Sequence, residues 1–131
     1  MNVGITDAPV AEIRKSAGKD FIIGATAKTV EQAVTAERAG ADYLGSGAVF
    51  PSPTKGNAIR ITTDELKAIC SSVNIPVVAI GGITAENAVQ LSGGGAAGIA
   101  VVSALFSAHD IKTAAEELKK LALAVSQGVI N

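Results

Sequence analysis

The chain has 131 residues, 48% of them hydrophobic and 18% charged, which suits one domain over residues 1–131 with a single core and excludes intrinsic disorder. Eleven Lys and Arg against twelve Asp and Glu leave a formal charge of -1 with no basic run, which argues against a nucleic-acid surface; one Cys and one His leave neither a disulfide framework nor a Cys/His zinc cluster. A complete (β/α)8 barrel, which takes roughly 250 residues and seldom fewer than about 200, is excluded as well.

The N-terminal stretch Met1 to Pro9 carries polar residues and an acid where a signal peptide has its apolar region, and no apolar run approaches the roughly 20 residues of a membrane span. A soluble, cytoplasmic protein is expected. A weak strand, Asn2 to Ile5, comes first, followed by a helix with Asp7 as a candidate cap before Ala8-Pro9 and an end at Gly18. The strand Phe21 to Ala25 leads to a capping box, Thr29-Val30-Glu31-Gln32, whose helix ends at Ala39-Gly40. Tyr43 to Gly47 is the third strand. A second box, Thr62-Thr63-Asp64-Glu65, opens a helix with Leu66, Ile69, Cys70 and Val73 at core spacing. After the strand Val77 to Ile80, Thr84 is expected to cap a helix that stops near Gly93-Gly94-Gly95. The strand Ile99 to Val102 precedes a final helix capped by Asp110, with Ala114, Leu118, Leu121 and Val125 on its apolar stripe.

The order (βα)5 implies an α/β fold with a single parallel sheet, and strands apolar at consecutive positions, such as Val77-Val78-Ala79-Ile80, imply burial on both faces. In such sheets ligands bind beyond the carboxyl ends of the strands. Two of those ends, Ile80-Gly81-Gly82 and Val102-Ser103-Ala104, combine a glycine turn with a small residue opening a helical segment. Backbone N–H groups converging there suit a phosphate; a plain tight turn is the alternative. The loop Pro51-Ser52-Pro53-Thr54-Lys55-Gly56 carries two hydroxyls and a cation for a second anion, or is a solvated surface loop.

Four stretches carry a family resemblance: Phe21 through Thr29; Ala39-Gly40-Ala41-Asp42-Tyr43-Leu44-Gly45-Ser46-Gly47-Ala48-Val49-Phe50-Pro51-Ser52-Pro53-Thr54-Lys55; Ile75 to Ile83; and Ala100 to Ala104. From Val3 to Leu123 the chain resembles the C-terminal part of thiamine phosphate synthase and its regulator-like relatives. The resemblance implies a (β/α)8 relative and a transferase of thiamine biosynthesis. That family joins an aminopyrimidine methyl diphosphate to a thiazole phosphate with magnesium, releasing diphosphate. It implies Thr26, Ser52, Thr54 and Lys55 as diphosphate contacts, with Gly81, Gly82, Val102 and Ser103 at the thiazole phosphate. Asp7 matches a magnesium aspartate of the family, with the helix cap as its alternative role.

The resemblance starts at the family's fourth strand, so three βα units are expected to be absent, and with them most of the charged diphosphate and magnesium contacts. Where the family has His-x-Gly-Gln, this chain reads Asn2-Val3-Gly4-Ile5. Five βα units are expected to close either as a flavodoxin-like sandwich, with the first strand slipped between its neighbours, or as half-barrels paired in a homodimer. The sandwich is favoured because it covers both faces without a partner. Three functions follow: a phosphate-binding synthase-like fragment without complete activity; an active synthase completed by a partner or by dimerisation; and, by fold analogy, a flavodoxin-like regulatory or flavin-binding module. The expected ligand is a phosphorylated small molecule, with no nucleic-acid or membrane partner.

Overall fold

The computed structural model describes residues 1–5, 9–51 and 60–127. Five strands, β1 (Asn2–Val3), β2 (Gly24–Thr26), β3 (Tyr43–Ser46), β4 (Val77–Ile80) and β5 (Gly98–Ala100), form one parallel sheet in the order β1-β2-β3-β4-β5. Between and after them lie the helices α1 (Val10–Ala17), α2 (Val30–Arg38), α3 (Thr63–Ser72), α4 (Ser103–Phe106) and α5 (Ile111–Gln127).

This order corrects the flavodoxin-like expectation. No strand slips between its neighbours; each crossover advances the sheet by one strand in the same direction, and right-handed crossovers of that kind place all the helices on one face. Burial follows the alternation. Val3, Ala25, Leu44 and Val77 are register partners across four strands and are all buried, whereas the next row, Thr26, Gly45, Val78 and Gly98, is only partly covered. Beyond it, Ile80 on that same open side is 41% exposed. The strands are apolar on both faces, as read from the sequence, but among the described residues only the helix side is fully covered.

The buried side is filled by Ile23, Leu44, Leu66, Ile69 and Leu91, with Val77 and Ile61 beside them. Thr29 caps α2 by accepting from Gln32 N at 3.1 Å, and Gln32 reaches back to the backbone N–H of Lys28. The helix ends in a Schellman turn: Gly40 has φ of 105°, and Ala41 N donates to Ala36 O at 3.0 Å. Thr62 and Glu65 complete the capping box of α3 in both directions. Asp110 caps α5 through Thr113 N, and Leu118 and Val125 are its buried residues. Cys70 packs against the core from α3, where burial pushes its thiol pKa up. His109 is exposed.

Local differences have local causes. Phe21 and Ile22 lie before β2 rather than in it and are 43% and 65% exposed; the sheet starts only where β1 and β3 flank the chain. The helix expected after Thr84 is two turns ending in a 3-10 segment, Ala88–Leu91. Thr84 and Asn87 exchange bonds that start it, but Ala88 and Leu91, three apart, bury on one side and glycines follow at once. Helix α1 begins at Val10 with Pro9 at its N-cap; Asp7, the expected cap, lies outside the described residues.

Helix α1 has no buried residue and is held by Arg14. That guanidinium donates to Gly40 O at 3.1 and 2.6 Å, to Gly18 O at 2.7 Å and to Phe21 O at 2.6 Å, and pairs with Asp42 at 2.7 Å. Asp42 also accepts from Ile23 N at 2.8 Å. That backbone bond first, and Arg14 second, hold its carboxyl below the usual aspartate pKa.

Candidate functional site

The carboxyl ends of the strands bring several of the expected residues to one rim. Thr26 ends β2, in register with Gly45 on the open side. Ile80 and Ala100 are partners at the ends of β4 and β5, so Gly81-Gly82 and Val101-Val102-Ser103 leave the sheet side by side. Val102 is 60% exposed, and its carbonyl accepts from Leu105 N and Phe106 N, closing the first turn of α4 directly after it. Gly81, Gly82, Val102 and the Ser103 backbone therefore share one corner, and Thr26 lies along the same rim two strands away. Ser52, Thr54 and Lys55, like Asp7, fall outside the described residues.

Glycine at this rim serves backbone packing. Gly81 and Gly82 have φ of 96° and 66°, the left-handed region that side chains disfavour. A Cβ on Gly82 would meet the carbonyls of Phe50 and Pro51; one on Gly81 would meet Ala48, and one on Gly47 the Ile80 carbonyl. Val49 N donates to Ile80 O and Phe50 N to Gly81 O, each at 3.1 Å. The segment after β3 is thus laid directly on the turn after β4, and this fixes where the loop bearing Ser52, Thr54 and Lys55 sets out. Asn87 Nδ2 donates to Gly82 O at 2.9 Å and fixes the far side of the turn.

Lys28 is the rim residue that the sequence reading passed over. Its Nζ donates to Gly47 O at 2.5 Å, joining the loop after β2 to the loop after β3. Beneath it, Ser46, fully buried, donates its hydroxyl to Ala27 O at 2.6 Å. The signal available in the sequence was only a lysine three residues past a predicted strand end. A cavity of about 420 Å³ lies between β1, β2, α1 and α2, lined by Val3, Ile5, Val10, Ala25, Thr26 and Ala36 among others.

Among the described residues no three of His, Cys, Asp and Glu come together as a metal-holding group. Asp7, the magnesium ligand that the resemblance implies, lies outside the described residues. No helix among them is long and apolar enough to cross a membrane.

The family model for thiamine monophosphate synthase matches residues 1–105. Thiamine-phosphate synthase 2 of Streptococcus pneumoniae is 52% identical over 122 residues, covering 92% of this chain and 58% of the relative. Thiamine-phosphate synthase of Pyrococcus abyssi is 46% identical over 121 residues, with the same coverage. Among solved structures, thiamine phosphate pyrophosphorylase from Pyrococcus furiosus superposes with a TM-score of 0.84 at 44% identity, over 95% of this chain and 59% of that one. The chain thus spans just under three fifths of the length of these relatives. A mandelate oxidase structure, at 20% identity and a TM-score of 0.65, shares the fold alone. In sequence and in the barrel-type order of its strands, this chain belongs to the thiamine monophosphate synthase family.

Proposed function

We propose that this chain is a synthase-like phosphate binder that holds a thiazole phosphate at the corner formed by Gly81, Gly82, Val102 and Ser103, without complete synthase turnover by itself. The supporting observation is the register of β4 and β5, which releases a left-handed glycine turn and the start of a helical turn side by side. Thr26, with Ser52, Thr54 and Lys55 on the loop that follows Pro51, is the second anion site and takes diphosphate. In the family reaction the carbon–oxygen bond to diphosphate breaks, diphosphate leaves with the electron pair, and the thiazole nitrogen forms the new carbon–nitrogen bond. Stabilising that departing charge is the main electrostatic task. Lys55 is the cation of the second site, while the Lys28 ammonium is engaged with Gly47 O. Magnesium, with Asp7 as its one proposed ligand here, rests on the resemblance alone. A cytoplasmic location is proposed on the same basis.

Calorimetry with thiazole phosphate tests the corner: Ser103→Asp is expected to weaken binding at least tenfold, and unchanged affinity removes the corner from the argument. Incubating the chain with both family substrates and magnesium is expected to yield no thiamine phosphate, and steady turnover overturns the reading of an incomplete enzyme. The second reading, a synthase completed by a partner, is favoured by the barrel order of the sheet. The flavin reading loses its basis with the flavodoxin-like order.

A further inference from the structure

We propose that the cavity between α1 and α2 binds a small organic cation with an apolar body, the size of a single-ring amine. Its floor is the helix side of the sheet, where Val3 and Ala25 are register partners and both are buried. One wall is α1, through Val10 and Ala11, and the other is α2, through Ala36, with Ala39 at its C-cap. Two features of the chain open this space. Alanines stand where facing elements ordinarily interlock larger side chains, and α1 buries no residue of its own. Arg14 ties that helix to Phe21 O, Gly40 O and Asp42, so it is fixed in place without being packed down.

The occupant follows from size and charge. The cavity volume of about 420 Å³ falls within the roughly 300–1,000 Å³ of small-molecule sites. Its lining is mainly apolar, and a water molecule there lacks the two to four or so polar partners that it needs, so an apolar body is favoured. Among the described residues of the lining, Glu31, in the first turn of α2, is the charged one, and they include no Lys or Arg. A cation is therefore attracted and a carboxylate repelled. Thr35, one helical turn on from Glu31, adds a hydroxyl to the same wall.

The site stands apart from the phosphate corner, which leaves the sheet at β4 and β5, so each can fail alone. Benzylamine, benzyl alcohol and benzoate, alike in size and different in charge, are titrated into the full chain at pH 7 and followed by amide chemical shifts. Saturable binding of benzylamine is expected, with the largest shifts at Val10, Ala11 and Ala36 and with benzoate at least fivefold weaker. Ala36→Leu and Ala11→Leu fill the space from its two walls. Each is expected to weaken benzylamine at least tenfold with the circular dichroism unchanged; Ala11 is exposed, so its replacement leaves the fold intact. Glu31→Gln is expected to bring benzylamine within twofold of benzyl alcohol. Absence of saturable benzylamine binding, benzoate binding as tightly as the amine, an amine preference that survives Glu31→Gln, or affinity indifferent to both leucine variants overturns the proposal.

Discussion

The two ends of the sheet are held by different means. At the amino ends of the strands side chains hold backbone: Arg14 spans Gly18, Phe21, Gly40 and Asp42, and Glu37 accepts from Asn74 N and Ile75 N. At the carboxyl ends backbone lies on backbone: Gly47, Gly81 and Gly82 admit carbonyls or main-chain atoms where a Cβ would stand, with Lys28 as a tie across two loops. A side-chain clamp can sit on any polar turn and yields graded losses when cut. Backbone contact gives a rigid rim, but only glycine permits it. That division matches the general pattern of these folds, with stability at the amino end and ligands at the carboxyl end.

The largest effect is expected at the rim. Gly82→Val forces a β-branched residue to φ of 66° against the Phe50 and Pro51 carbonyls, and should cost about 3 kcal/mol or more in a denaturant melt. A loss below about 1 kcal/mol would mean that the loop after β3 does not rest on this turn.

Cutting the amino-end clamp should cost less and leave the rim alone. Arg14→Ala removes charge-assisted bonds to the carbonyls of Gly18, Phe21 and Gly40, and is expected to destabilise by on the order of 2 kcal/mol. Thiazole phosphate affinity should stay within twofold. A large affinity loss with unchanged stability would reverse the assignment of the two ends.

The smallest effect is the acid response. Asp42 is held below the usual aspartate pKa by the Ile23 N–H and by Arg14, so its folded carboxyl stays ionised to lower pH than the unfolded one. Its contribution is present above the unfolded pKa, near 4, and is lost as pH falls through the lowered folded value. Denaturant midpoints at pH 7 and pH 3 should therefore differ more for the wild type than for Asp42→Asn. Equal differences would show that the clamp does not depend on the charge of Asp42.

Much of this molecule is set by short-range chemistry and is legible in the chain. Thr29, Thr62 and Asp110 cap their helices because a hydroxyl or carboxylate three residues ahead of a free N–H is a local event, and Gly40 ends α2 for the same kind of reason. The family pattern from Tyr43 to Lys55 and from Ile75 to Ile83 is equally local. The helix expected after Thr84 was the harder case, since its start signal was sound but burial of Ala88 and Leu91 chose the tighter winding. Gly81 and Gly82 were legible as a turn at the site, but what crowds out a side chain there is Ala48 at Gly81 and Phe50 and Pro51 at Gly82, some thirty residues away.

The sequence by itself determined the succession of five strands, the caps at Thr29, Thr62 and Asp110, the parallel α/β class and the residues that mark the family. Tertiary structure decided the order of the strands, and with it that among the described residues only one face is fully covered. Apolar residues at consecutive strand positions state that both faces favour burial, but not what buries them. The covering layer depends on which way each crossover turns, a choice made by packing against strands far away in the chain. The tie from Lys28 to Gly47 has the same origin: nineteen residues separate them, and only the pairing of β2 with β3 brings them together.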